Sequence, residues 1–391
     1  MPFRQVLPTL LLLPAVAASA QASGPWEMEH SGTTANLRGI HAVGAGVAWA
    51  SGANGTVLRT EDSGYMWQSC AMPPGAEKLD FRGIWAWDAN TAIVMSSGPG
   101  DQSRLYKTTD GCSHWKLLYT NPDKDGFWDA VQFWDRENGE ILGDPTETPD
   151  ERFSHDAKAI SELPANLEYT VLYTGNGGTT WTRQSYSKLM SSPLHISASR
   201  GGGAFAASNS SLAIVDHDAW FGTGGRNGSY VFIGDDFSPM PPGSGLCTCD
   251  PMPPTTIWFS HSVPVPLASG TDSSGVFSLV FRDPGYGVAV GGDYKKPDDS
   301  SGTAAWTADG GKTWTAATNP PHGYRSAVAF DSEHKAWITV GTNGTDVSYH
   351  DGKTWSPLDT GNWNALGLPW VVGPGGRIAK LVSLDATTRL H

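Results

Sequence analysis

Thr307-Ala308-Asp309-Gly310-Gly311-Lys312-Thr313-Trp314 is the stretch that decides how this chain folds, because its order of residues returns at Thr60-Glu61-Asp62-Ser63-Gly64-Tyr65-Met66-Trp67. Altered copies run from Thr108 to Trp115, with Cys112 where a glycine is expected, and from Thr174 to Trp181, with Asn176 in the aspartate position. A further copy, His350-Asp351-Gly352-Lys353-Thr354-Trp355, reads as one residue shorter. Aspartate or asparagine accepts N–H groups of its own turn, glycine takes φ > 0, and the tryptophan packs back beneath the hairpin. Each copy is therefore a turn staple rather than a site of chemistry.

Upstream of the turns the strands are equally regular. Leu37-Arg38-Gly39-Ile40 precedes Val47 to Gly52, Phe81-Arg82-Gly83-Ile84 precedes Thr91 to Ser96, and Trp128-Asp129-Ala130-Val131 precedes Gly139 to Pro145. Later copies pass through Ala219 to Gly222, Gly287 to Gly292 and Ala336 to Gly341, with a partial one at Asn364 to Gly367 and Trp370 to Gly373. Seven units at a spacing of roughly 40–60 residues predict an all-β fold, a single seven-bladed β-propeller over 21–391. The last unit is short of a strand, and Trp26-Glu27-Met28-Glu29-His30 is expected to supply it, closing the ring and removing open sheet edges. The composition agrees: 47 Gly, 27 Pro and 17 Trp with only 17% charged residues suit short strands and tight turns, not a helical bundle.

Met1-Pro2-Phe3-Arg4, an apolar run through Leu10 to Leu13 and Ala18-Ser19-Ala20 predict a signal peptide over 1–20, cleaved after Ala20. The run is too short to span a bilayer and no later stretch is long enough, so a secreted or periplasmic protein with no transmembrane segment is expected. A net charge of −13 argues against nucleic acid as a partner. Of the four cysteines, Cys70 and Cys112 lie in neighbouring units and are the preferred disulfide pair, while Cys247 and Cys249 lack the second pair of ligands that a zinc site needs. The 11 histidines do not cluster at ligand spacing, so no metal is expected. Cofactor-binding and hydrolase signatures such as G-x-S-x-G, H-E-x-x-H and the Walker loop are missing, so no cofactor is expected.

Aligned units place Arg38, Arg82 and Arg325 at one point of the innermost strands, where three guanidiniums would ring a channel mouth and hold a carboxylate or phosphate. Pairing with an acid on the next blade, such as Asp129, is the alternative. A second group follows the second strands: Asp144 and Asp293 as candidate catalytic acids, with Tyr294 and Lys295 as donors. Ordinary turn chemistry competes with that reading. The long insertions at 146–168 and 236–256 are expected as loops on one face.

The turn motif resembles the Asp-box, S/T-x-D-x-G-x-x-W. Together with F/L-R-G-I and G-V-A-V-G-G-D it is similar to the photosystem II stability/assembly factor-like family over nearly the whole mature chain. The resemblance implies seven blades and a protein that binds partner proteins through an arginine-rich face, here Arg38, Arg82 and Arg325. This chain has no lipobox and longer insertions. A rival resemblance is to sialidases, glycoside hydrolases that share the Asp-box propeller and hold a carboxylate with three arginines; their F/Y-R-I-P signature is replaced here by Leu37-Arg38-Gly39-Ile40. Two functions thus compete: recognition of a protein, carboxylate or glycan ligand without chemistry, and a hydrolase using Asp144 and Asp293 as its paired carboxylates.

Overall fold

The structure is a computed structural model that describes residues 24–149, 165–184, 196, 198, 201–216, 218–236 and 257–384. The proposed signal peptide, residues 150–164 and 237–256 of the two insertions, and Cys247 and Cys249 lie outside the described residues. The rest is antiparallel sheet with almost no helix.

The chain starts with β1 (Trp26–Glu29), then lays down β2 (Leu37–Gly44), β3 (Val47–Gly52), β4 (Val57–Thr60) and β5 (Gln68–Ser69) as one sheet in chain order. The next comprises β6 (Phe81–Ala86), β7 (Ala92–Ser96), β8 (Arg104–Thr108) and β9 (Lys116–Thr120). After it come β10 (Trp128–Phe133), β11 (Asn138–Pro149), β12 (Ala165–Gly175) and β13 (Thr182–Arg183). The expected loop at 146–168 is thus partly a lengthened hairpin, in which Thr146 to Pro149 pair with Ala165 to Glu168.

β14 (Gly202–Gly203) and β15 (Leu212–Val215) both pair with β16 (Asp218–Gly225), which continues into β17 (Tyr230–Asp236) and β18 (Ile257–Pro264). One register pair, Gly224 with Gly275, joins that sheet to β19 (Ser274–Asp283), β20 (Tyr286–Asp293), β21 (Ala304–Thr307) and β22 (Thr315–Ala316). β23 (Ala327–Asp331), β24 (Ala336–Gly341), β25 (Gly344–Ser348) and β26 (Ser356–Asp359) follow. The final sheet is β27 (Ala365–Gly367), β28 (Trp370–Val372) and β29 (Ile378–Leu381), completed by β1, with Trp26 opposite Leu381 and Glu29 opposite Ile378.

First strands of successive sheets touch in a closed cycle: β2 meets β6, then β10, β15, β19, β23 and β27, which returns to β2. The apolar clusters obey the same order. Trp49, Phe81 and Tyr106 pack between the first two sheets, and Leu37, Ile40 and Trp370 between the first and the last. The core is therefore a ring of layers between neighbouring sheets, and the row of sheets closes on itself.

The repeated turns share one hydrogen-bond pattern. Thr60 Oγ1 donates to Asp62 Oδ1 at 2.8 Å and accepts the Gly64 N–H, while Asp62 Oδ1 accepts the Met66 N–H. Thr108 with Asp110, Thr174 with Asn176 and Thr307 with Asp309 repeat it. The shortened copy is in fact full length: Ser348 Oγ accepts the Gly352 N–H at 3.0 Å, so the turn runs from Ser348 to Trp355 with His350 in the aspartate position. Cys70 and Cys112 form a disulfide that ties the first sheet to the second.

Candidate functional site

Five β-bulges set the geometry of the site. The β2–β3 pairing skips Arg38, β6–β7 skips Arg82, β10–β11 skips Asp129, β19–β20 skips Phe277, and β11–β12 skips Asp144. A bulge leaves its extra residue outside the ladder and re-aims the side chain. All five residues line one cavity of about 810 Å³ at the centre of the ring. The residue after the bulge is small where sheets approach closely: a Cβ on Gly39 would sit 2.6 Å from Ser51 Oγ and 2.9 Å from the Arg82 carbonyl.

Residues 204–211 run past the first strands, with Ala204 to Ala207 lining the cavity and Ser208 to Ser211 continuing beyond it. Asn209 bonds two sheets at once, accepting the Val131 N–H through Oδ1 and donating through Nδ2 to the Ile84 and Val131 carbonyls. Ser208 Oγ donates to the Ser326 carbonyl at 2.7 Å, and the hydroxyls of Ser210 and Ser278 meet at 2.7 Å. These side chains thus tie the segment to the sheets of β6, β10 and β19 and to Ser326 ahead of β23. The preceding glycines, Gly201 to Gly203, form part of the cavity wall.

One side of the cavity is cationic. Arg82 donates through Nε to Asp80 Oδ2 at 2.8 Å and through its terminal nitrogen to the Ala206 carbonyl at 3.3 Å. Arg38 is held more loosely: its Nε is buried and has no hydrogen-bond partner among the described residues. Burial, and then the neighbouring charge of Arg82, lower the affinity of the Arg38 guanidinium for its proton.

The wall next to Arg82 is acidic. Asp129 is fully buried; burial and then the nearby Asp144 charge hold its carboxyl well above the usual range, against the pull of Arg82. Its Oδ2 has no partner among the described residues. Asp144 reaches the cavity surface, and its Oδ1 accepts the Ala204 N–H at 3.0 Å. Burial pushes it up to about 6, with that hydrogen bond pulling the other way. An apolar wall faces these charges: Phe205 stacks on Phe277 at 3.9 Å, and Tyr324 meets Phe277 edge-on at 4.8 Å.

The remaining expected residues are placed otherwise. Arg325 precedes β23, whose pairing with β24 has no register shift, and no bulge turns it toward the axis. Its guanidinium is fully buried within its own sheet, bonded to Asp346, the Asn343 side chain and the Tyr324 carbonyl. The expected convergence of three arginines is therefore two, with Arg325 corrected to a packing role. Asp293 caps its own turn through the Lys295 N–H and the Thr271 hydroxyl. Burial pushes its carboxyl up, but the Ser273 hydroxyl and these donors hold it below the ordinary value. Asp293 is absent from the cavity wall, so the expected Asp144–Asp293 pair is replaced by Asp144 with Asp129. Tyr294 lines the cavity and stands half exposed, whereas Lys295 is exposed outside it. Phe205, Phe277 and Tyr324 went unnoticed in the sequence, although Phe277 occupies the position of Arg38 and Arg82 in its own unit.

No family model matches the chain, and no curated protein matches it. Solved structures do. The structure described as YCF48 bound to D1 peptide aligns over 95% of this chain and all of its own, with a TM-score of 0.57 and 15% identity. YCF48 from Cyanidioschyzon merolae aligns over 91% of this chain and 98% of its own, with a TM-score of 0.55 and 16% identity. The WD40 β-propeller domain of Doa1 covers 94% of this chain and 99% of its own at a TM-score of 0.53, with 8% identity. The fold is a β-propeller. Among the described residues of this propeller no group of three or more His, Cys, Asp or Glu could hold a metal ion, and no helix is long and apolar enough to cross a membrane.

Proposed function

We propose that the chain is a secreted or periplasmic, seven-bladed β-propeller with Asp-box turns that binds a carboxylate-bearing segment of a partner protein over Arg38 and Arg82, and performs no chemistry. The observation that carries this reading is the unpartnered, buried Arg38 Nε beside Arg82 in an 810 Å³ cavity. A buried guanidinium N–H left unpaired beside a second guanidinium favours an anion that pairs it. The size falls in the range of ligand cavities, roughly 300–1,000 Å³. That a propeller of the same fold was solved with a peptide bound, under the description YCF48 bound to D1 peptide, supports a peptide occupant. The blade count is supported by the closed cycle of first strands, and the Asp-box reading by the shared turn bonds. The Cys70–Cys112 disulfide supports an oxidising compartment.

The test is capture of envelope proteins by the purified chain and by the Arg38→Ala/Arg82→Ala variant. Partners retained by the wild type and lost by the variant, at unchanged thermal stability, are expected. Equal retention by both would remove the cavity from the function.

The hydrolase reading keeps one supporting observation, the carboxyl of Asp144 held up to about 6, which suits a general acid. Asp293 is bonded into its own turn, so a hydrolase would have to work through Asp144 and Asp129. Turnover of sialosides or uronic-acid glycans that Asp144→Asn abolishes would favour it over binding.

A further inference from the structure

The cavity wall contains two unsatisfied polar atoms, one on a guanidinium and one on a carboxyl. Arg38 Nε and Asp129 Oδ2 are both buried, both belong to residues of the cavity wall, and neither has a hydrogen-bond partner among the described residues. They do not satisfy one another. Each of these buried atoms is costly to leave unpaired. A plain anion would relieve the arginine but sit close to two carboxyls, and a plain cation would do the reverse.

We propose, building on the binding reading above, that the occupant is a zwitterion, a short peptide whose carboxylate pairs with Arg38 and Arg82 while its ammonium group pairs with Asp144 over Asp129. Asp144 is the acid within reach of an occupant: Oδ1 is taken by the Ala204 N–H, and among the described residues no hydrogen bond reaches Oδ2. Asp129 lies deeper, where burial favours its neutral form, so the negative charge facing an occupant is that of Asp144. The stacked Phe205 and Phe277, with Tyr324 edge-on and Tyr294 at the rim, offer a flat apolar wall. Such a wall suits an aromatic or aliphatic side chain carried between the two charges. Cation, anion and apolar side chain together describe a peptide better than they describe a uronic-acid glycan or a phosphate, neither of which carries an ammonium group.

Calorimetric titration of the full chain with the dipeptide Ala-Phe, its N-acetylated form and its C-amide tests this without any variant. The free dipeptide is expected to bind at least tenfold more tightly than either singly capped form. Asp144→Asn should bring the free dipeptide down to the affinity of the N-acetylated form, and leave the latter's binding unweakened. Equal affinity of the free and N-acetylated forms, both lost in Arg38→Ala, would overturn the ammonium subsite while leaving the carboxylate reading intact. Binding by none of the forms would also overturn the proposal, and the partner-capture experiment would then judge the broader reading by itself.

Discussion

Glu140 has no route to water, and its carboxyl is held by one amide donor, Gln184 Nε2 at 3.2 Å, with Oε2 unpartnered among the described residues. Burial pushes it up to about 8, against the pull of that hydrogen bond. Between its ordinary 4.5 and 8 the folded chain therefore holds a proton that the unfolded chain has released. Stability must fall as pH rises across that interval and level off above it. Glu140→Gln keeps the shape and removes the titration, so it should stabilise the protein at pH 8 by on the order of a few kcal/mol and do little at pH 4.5. Urea unfolding at the two pH values measures this, and an unchanged pH slope in the variant would count against it. Arg325 makes the complementary case. Removing it leaves the fully buried Asp346 with His322 Nδ1 at 2.8 Å in place of a guanidinium, so Arg325→Ala should cost about 3 kcal/mol, the low end for breaking a buried pair. Arg38→Ala, lacking such a partner, should leave the melting temperature nearly unchanged while weakening ligand binding.

At the scale of the element, turns were legible in the sequence and bulges were not. Thr-x-Asp-x-Gly fixes its own hydrogen bonds within a few residues, so the pattern at Thr60 and Thr307 could be read without knowing any neighbour. A bulge is a relation between two strands, and nothing local in Trp128-Asp129-Ala130 announces that Asp129 leaves the ladder to join Arg38 and Arg82. The alignment of Arg325 with them failed for the same reason: its sheet pairs without the extra residue. Staple tryptophans also differ in ways that only packing reveals. Trp355 is 1% exposed and donates to the Gly352 carbonyl, whereas Trp314 is only half buried and its indole N–H is unpaired among the described residues. Trp355→Ala should therefore cost about 3–5 kcal/mol, and Trp314→Ala clearly less. Equal losses would mean that burial does not govern the staple. The disulfide acts at this scale too, closing a sequence separation of 42 residues. Its removal by Cys70→Ser with Cys112→Ser should cost about 2–4 kcal/mol.

For the whole molecule, the repeat period already contained the propeller, because units that cannot bury both faces alone must stack on neighbours until the row closes. What ties one segment to several sheets could not be foreseen. Residues 204–211 form no periodic pattern, and their small polar side chains acquire meaning only when Asn209 and Ser208 find carbonyls from different sheets. Closure itself rests on β1. Trp26 lies 6.1 Å from Trp363 and donates to Thr345 Oγ1, so the strand reaches beyond its own sheet into the preceding one. Glu29 Oε2 accepts indole N–H groups from Trp67 at 2.7 Å and Trp370 at 3.1 Å, which links the last sheet to the first. A chain lacking residues 24–30 would present the unpaired edge of β29 and leave those partners exposed or unsatisfied. Unpaired edges recruit other strands, so this chain is expected to form oligomers and to melt at lower temperature. Size-exclusion chromatography with a thermal scan decides it. A monomer with unchanged melting temperature would mean that the ring is held by the apolar layers alone, and that β1 merely covers an edge the fold can leave open.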